Sequence, residues 1–288
     1  MTQALLQQLL NGLSIGFGYA LIALGLTLAF GVLHIINFGH GEVVMLGALT
    51  VVLANKLLGL PYLAALPLAM LVGALVGWVF DALAVSPLLR RTEGRTDILL
   101  TTFAVGVLFN QAVLSVWGPA PARVDGLQGR FELAGVGLSS QRLFVIVASI
   151  AALVALDLLA RRTRFGTEMR ALAQSEHAAR VVGIDVKSVG TRAFLLAAVV
   201  GGLGGALLAP ITSYSPMLGQ AVLIKAFVIV VLGGLGSAGG AVLCALAVGV
   251  IEAMLGLVME EGMAAATVYS LMLLVLLVRP QGLAGAAR

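Results

Sequence analysis

The sequence is divided into apolar runs of about 20 residues, the length a helix needs to cross the hydrocarbon core of a bilayer. Eight such runs can be marked, at 5–30, 41–58, 62–89, 98–117, 142–160, 191–213, 238–258 and 263–278. Lipid offers no partner for a bare peptide group, so each run must satisfy its own backbone, and a helix does this within the segment. A membrane barrel is excluded because its strands would alternate apolar and polar residues, whereas these runs are continuous.

Composition supports the same reading. Of 288 residues, 60% are hydrophobic and 10% charged, against about 25% charged in a soluble domain that must solvate its surface. The expectation is an all-α membrane protein: one domain over 1–288, a polytopic bundle of about eight transmembrane helices with broken or re-entrant segments. The N-terminal stretch lacks the basic region and small-residue cleavage site of a signal peptide, and reads as the first retained span. The single cysteine, Cys244, excludes a disulfide framework and reads as a small packing residue.

The net charge of +4 does not indicate nucleic acid. Of 17 Lys and Arg, three lie in 90–97 and seven in 161–192. Short basic loops between apolar runs mark the cytoplasmic side. The Gly- and Pro-rich segment 118–141, with balanced charge, then falls outside as a loop. The stretch 221–240 carries Lys225 and ends in glycines; it reads either as a short span or as a re-entrant segment.

Glycine is abundant, at 36 residues. The pairs Gly12/Gly16, Gly73/Gly77, Gly201/Gly205 and Gly236/Gly240 have the spacing that lets helices approach closely in lipid. A looser parallel links 26–54 with 227–255: each is an apolar run, a glycine-rich break and a second apolar run. Paired broken helices of this kind flank substrate paths in transporters.

The most unusual stretch is GVLHIINFGHGEVV, 31–44, where His34, Asn37, His40 and Glu42 cluster in an otherwise lipid-soluble run. A metal site is weakly supported, since His40-x-Glu42 has no recognised ligand spacing and no cysteine joins it. A proton relay through His40 and Glu42 would make the chain a secondary transporter. The third reading is a helix broken at Gly39 and Gly41, with Asn37, His40 and Glu42 satisfying freed backbone or facing a polar solute. Gly233, Gly234 and Gly236 would form a matching break. The GLGSAGG stretch that holds two of them is no dinucleotide site, because it lacks a correctly placed acidic residue and sits between spans.

Other intramembrane charges need a reason, since each costs roughly 2.5–3.5 kcal/mol on insertion scales. Lys225 would snorkel outward, Glu252 would lie near the external mouth, and Asp81 would bond to a neighbouring helix. In the 161–190 loop, Thr167 can cap a helix and Gly183 end it. Met169, Leu172, Ala179 and Val182 recur at helical spacing opposite Glu168, Arg170, Glu176 and Arg180. About 16 residues give a helix near 24 Å long, read either as lying on the membrane surface or as docking a cytosolic partner. Its alanine-rich side, Ala178 and Ala179 included, favours docking. No Gly-Lys dipeptide occurs, so the chain carries no Walker A loop of its own.

These residues carry a family likeness. NGLSIGFGYALIALGLTLAFGVLHIINFGHGEVVMLGA resembles the N-terminal signature of branched-chain amino-acid ABC importer permeases. FGTEMRALAQSEHAARVVGI, VLGGLGSAGGAVLCALAVGVIE and the terminal RPQGL agree in the same order. INFGHGE points to the first of the two permease types, while Gly39, Ser175 and Cys244 depart from residues usual in the family. The resemblance implies a multi-pass subunit of a bacterial inner membrane that imports leucine, isoleucine and valine. It implies a second permease (a heterodimer), two cytosolic ATP-binding subunits and an extracytoplasmic solute-binding protein. ATP and magnesium would be bound by the ATP-binding partners, with no cofactor in this chain. Glu168, Arg170, Leu172, Glu176, Ala178, Ala179, Arg180 and Gly183 would belong to the helix that couples to the ATPase. Import of urea, short amides or other amino acids, which related systems in the family move, is the alternative.

Overall fold

The computed structural model describes residues 2–89, 94–133, 136–279 and 281–283. The chain forms α1 (Thr2–Leu33), α2 (His40–Leu58), α3 (Tyr62–Phe80, prolonged by a π-helical turn, Asp81–Val85) and α4 (Gly94–Trp117). A short hairpin follows, β1 (Arg130–Leu133) and β2 (Val136–Ser139), then α5 (Ser140–Arg162), α6 (Arg164–Gln174) and α7 (Glu176–Val181). The last four helices are α8 (Val186–Thr212), α9 (Leu218–Gly233), α10 (Ala238–Leu255) and α11 (Glu261–Val278).

The eight apolar runs each hold one helix. Seven helices, α1 to α5 with α8 and α10, are long and apolar enough to cross a membrane, while α9 and α11 are shorter. The stretch 221–240 resolves as most of α9, a turn at 234–237 and the start of α10. Segment 118–141 is not only a loop, since β1 and β2 pair antiparallel with Arg130 opposite Ser139. Four-residue strands are too short to leave a periodic signal in sequence. Residues 90–93 of the expected basic loop, Pro280 and 284–288 lie outside the described residues.

Glycines set the helix packing. Gly12 and Gly16 of α1 lie against Val250 and Leu246 of α10, and Gly249 faces them in return. Gly73 and Gly77 of α3 lie against Ala198 of α8. Gly201 meets the His40 ring and Gly205 the Val44 carbonyl. Gly236 is not part of a helix-packing pair; its φ of +86° places it in the α9–α10 turn.

The runs α1–α2–α3 and α8–α9–α10 repeat one arrangement with opposite polarity. Helices α1 and α8 cross antiparallel, with Gly18 facing Leu208 and Gly25 facing Ala197. Each packs on the third helix of the other run, α1 on α10 and α8 on α3. Each is followed by a short irregular junction, 34–39 or 213–217. Among the described residues the only non-glycine positions with positive φ are His34 (54°) and Ser213 (63°), one in each junction. The next helix then starts near the middle of the bundle: a β-carbon on Gly41 would meet the Gly219 carbonyl, and one on Gly219 would meet the Gly41 carbonyl. Two half-helices thus start back to back, as in the inverted repeats of many transporters. The expected pairing of 26–54 with 227–255 is therefore corrected. The counterpart of the first junction is 213–217, which has no glycine, while 234–237 is a helix–helix turn.

Candidate functional site

The first junction is held by local polar contacts. Asn37 is buried, and its Oδ1 accepts the Gly39 amide at 2.9 Å, an Asx-type turn that satisfies backbone ahead of the helix. Gly39 has an ordinary helical φ of −76°; it is required because a side chain would overlap the Phe80 ring. Gly41 lies inside α2 and is required by its contact with Gly219. The break itself comes from the left-handed His34. The expectation that Gly39 and Gly41 supply backbone freedom is corrected to one of close packing.

His40 and Glu42 lie in the first turn of α2 and behave differently. His40 is 1% exposed, and its ring fills the space between Gly25 and Gly201. Its Nε2 lies 3.1 Å from the Ile22 carbonyl; the carbonyl can only accept, so Nε2 carries the proton. His40 is an anchor between α2 and α1. Glu42 points instead toward α4. Its Oε2 accepts from Asn110 Nδ2 at 3.4 Å, and the same amide donates to the Pro216 carbonyl at 2.9 Å. Asn110 therefore joins α4 to both half-helix starts.

Helices α4 and α9 both lie against the start of α2, α4 through Gly106 at Glu42 and Gly39 and α9 through Gly219 at Gly41, and the strip between them is the candidate groove. Phe38 packs on Phe103 of α4 and Phe227 of α9, with ring centroids 6.4 and 6.3 Å apart. Phe103 of α4, Met217 of the second junction and Ile224 of α9 are exposed. Asn110, Phe103 and Phe227 were not singled out from sequence. The available signal was a pair of adjacent amides, Asn110 and Gln111, inside the apolar run 98–117, where attention to charged residues alone passes over them.

The remaining residues occupy other places. Gly233, Gly234 and Gly236 lie at the far end of α9, near Gly31 and Gly282, and do not join the groove. Lys225 does not snorkel: it pairs with Glu252 of α10 and donates to the Tyr19 hydroxyl of α1 at 3.0 Å. Tyr19 in turn donates to Glu252 at 3.4 Å. Asp81 does bond across helices, accepting from Thr191 of α8 at 2.9 Å and from Ser86 at 3.0 Å. Among the described residues, no three His, Cys, Asp or Glu gather as a metal would require.

The 161–190 region contains two helices instead of the one expected over 167–183. Thr163 caps α6 through the Gly166 amide at 3.0 Å, and Ser175 ends α6 and caps α7 through the Ala178 amide at 3.2 Å. A serine hydroxyl that can bond its own backbone stops one helix and starts another. Gly183, with φ +84°, closes the element as expected. Met169, Leu172 and Ala179 are buried, while Val181 and Val182 are exposed. Glu168 is half-buried; Arg170, Glu176, Ala178 and Arg180 are exposed, and Arg180 pairs with Glu176. Beneath these helices lies a cavity of about 720 Å³, lined by Leu33, His34, Ser86, Leu172, Arg180 and Lys187 among others.

Comparison with known proteins gives this geometry its context. Residues 8–278 match the family model described as the permease component of branched-chain amino acid transport systems. The chain is 32% identical to the high-affinity branched-chain amino acid permease protein BraD of Pseudomonas aeruginosa, over 97% of this chain and 95% of that one. It is 30% identical to the LivH permease protein of Escherichia coli over the same shares. To the LivM permease protein of the same organism it is 27% identical, over 92% of this chain and 67% of that one. A multi-pass helical membrane protein with this end-to-end likeness belongs to the family of branched-chain amino-acid transport system permeases, and its relatives place it with the LivH-like subunits.

Proposed function

We propose that this chain is one membrane subunit of an ATP-driven importer of leucine, isoleucine and valine. The observation that carries this reading is the match to LivH-type permeases along nearly the whole chain. The more distant match to LivM supports a second permease as partner. With no Walker A loop here, ATP and magnesium belong to two cytosolic ATP-binding subunits, and an extracytoplasmic binding protein delivers the solute.

The basic end of the bundle, with α6 and α7, faces the cytoplasm of a bacterial inner membrane by the charge rule. The β hairpin then faces outward. Exposed Ala178 and the polar face carrying Arg170, Glu176 and Arg180 form the docking side for an ATP-binding subunit, whereas buried Ala179 and Leu172 hold that element to the bundle. The groove between α4 and α9 is the half of the solute path contributed by this chain. Its apolar walls suit a branched side chain, and Glu42 with Asn110 supplies the polar contact that a zwitterion needs.

The test is reconstitution with a second permease, ATP-binding subunits and a binding protein from the same organism. ATP-dependent uptake of labelled leucine is expected, with Ala178→Arg abolishing uptake while leaving the subunit folded. Uptake of urea or a short amide instead of leucine would correct the solute. Uptake that ignores the ATPases and collapses with the proton gradient would make the chain a secondary carrier.

A further inference from the structure

We infer that Phe38, Phe103 and Phe227 form a gate that closes the groove toward the basic end. The inference rests on the reading of that groove as a solute path. Three separate elements each supply one ring: the 34–39 junction, α4 and α9. Phe38 meets Phe103 edge-on, at 87°, and Phe227 at 32°, so one side chain bridges two helices that flank the groove. Its backbone amide donates to Thr102 of α4 at 3.3 Å, which sets the ring against that wall.

The position of the cluster gives it direction. Phe103 precedes Asn110 by seven residues of α4, about 10 Å nearer the basic end. Phe227 lies nine residues beyond Leu218, the first residue of α9, about 13 Å along a helix that runs toward the same end. The polar pair Glu42–Asn110 therefore lies on the hairpin side, and the aromatic cluster lies between it and the basic end. A ring of apolar side chains blocks a polar solute because none of them can replace its hydration. The second half of the repeat offers no matching plug, since Pro216 stands where Phe38 does when Gly219 is aligned with Gly41.

The junction also connects the gate to the side of the bundle that carries α6 and α7. Its first residue, His34, lines the cavity beneath α6 and α7, and Phe38 is four residues further on. Displacement of α6 and α7 by a docked partner would change the cavity wall and pull on the junction, drawing Phe38 out from between its neighbours.

The reconstituted complex tests this through efflux of preloaded leucine from proteoliposomes without ATP. Phe38→Ala and Phe227→Ala should raise that passive flux at least several-fold and raise the ATP consumed per leucine imported. Phe38→Tyr, which keeps the ring, should stay tight. Phe131→Ala, on the hairpin, should match the unmodified complex. Phe103 is 53% exposed, so Phe103→Ala gives a leak test with little risk to folding. Tight vesicles with normal coupling in all three alanine variants would overturn the gate, as would an equal leak from Phe131→Ala. ATP-driven uptake by the unmodified complex reads the proposed function separately, so the two ideas fail independently.

Discussion

The two half-helices follow one backbone plan and are secured by different chemistry. The start of α2 is tied to α1 by His40, which bonds the Ile22 carbonyl. Helix α9 is tied to α1 by Lys225, which bonds the Tyr19 hydroxyl and pairs with Glu252. Tyr19 and Ile22 are one turn apart, so a single stretch of α1 anchors both. After the paired glycines, α2 carries Glu42 in contact with Asn110, whereas α9 carries Gln220, which is exposed. The repeat thus fixes where the helices start, and the departures from it decide which half turns a carboxyl group toward α4. Under the proposed function a solute path needs polar contact at one level and an apolar seal at another, and two chemically identical halves would place the same groups on both sides.

Breaking the α9 anchor should have the largest effect. Lys225 and Glu252 are each 15% exposed, and removing one partner strands the other charge, at about 3–5 kcal/mol. Lys225→Met and Glu252→Gln should each lower the thermal stability of the detergent-solubilised protein strongly, with Lys225→Met/Glu252→Leu recovering most of the loss. Additive losses in the double variant would mean that the pair does not act as a unit.

The contact between the half-helices comes next. Gly41→Leu and Gly219→Leu should each destabilise by about 1–3 kcal/mol through overpacking, and by similar amounts if the halves meet as equals. Markedly unequal losses would show that one half-helix yields and the other does not.

His40→Leu copies Leu218 into the first half and should cost about 1 kcal/mol for one lost hydrogen bond. Substantial uptake should remain, because the ring is an anchor; complete loss of uptake with intact folding would restore the proton-relay reading. The smallest effect lies outside the repeat. Ser175→Ala should cost roughly 1 kcal/mol, seen as faster amide exchange confined to α7.

The legible parts of this fold were those in which length alone decides. The eight apolar runs each became a helix because lipid-length hydrophobicity has few other outcomes. Helix α9 was obscured, since it has 16 residues and carries a lysine whose partner lies 27 positions away. The second junction was hidden for a different reason. Glycine marks a break only when backbone freedom is what the break requires, and TSYSP at 212–216 turns at Ser213 and Pro216 without any. The opposite error arose at Gly39 and Gly41, where glycine provides room for Phe80 and Gly219. Asn110 was missed because its role depends on Pro216, which is distant in sequence. In the basic loop, the Ser175 cap was readable in principle, but the apolar spacing through it favoured one helix over two.

Solvent access to Asn110 tests the central claim most directly. With Cys244→Ser as background, Asn110→Cys should react with a membrane-impermeant thiol reagent added from the hairpin side. That reaction should stop uptake of leucine, and its rate should fall when substrate-loaded binding protein and ATP drive turnover. Gln111→Cys, one residue further along α4, should leave uptake intact when labelled. Modification of Asn110→Cys with uptake undiminished would contradict the account, because a path through that groove could not remain open.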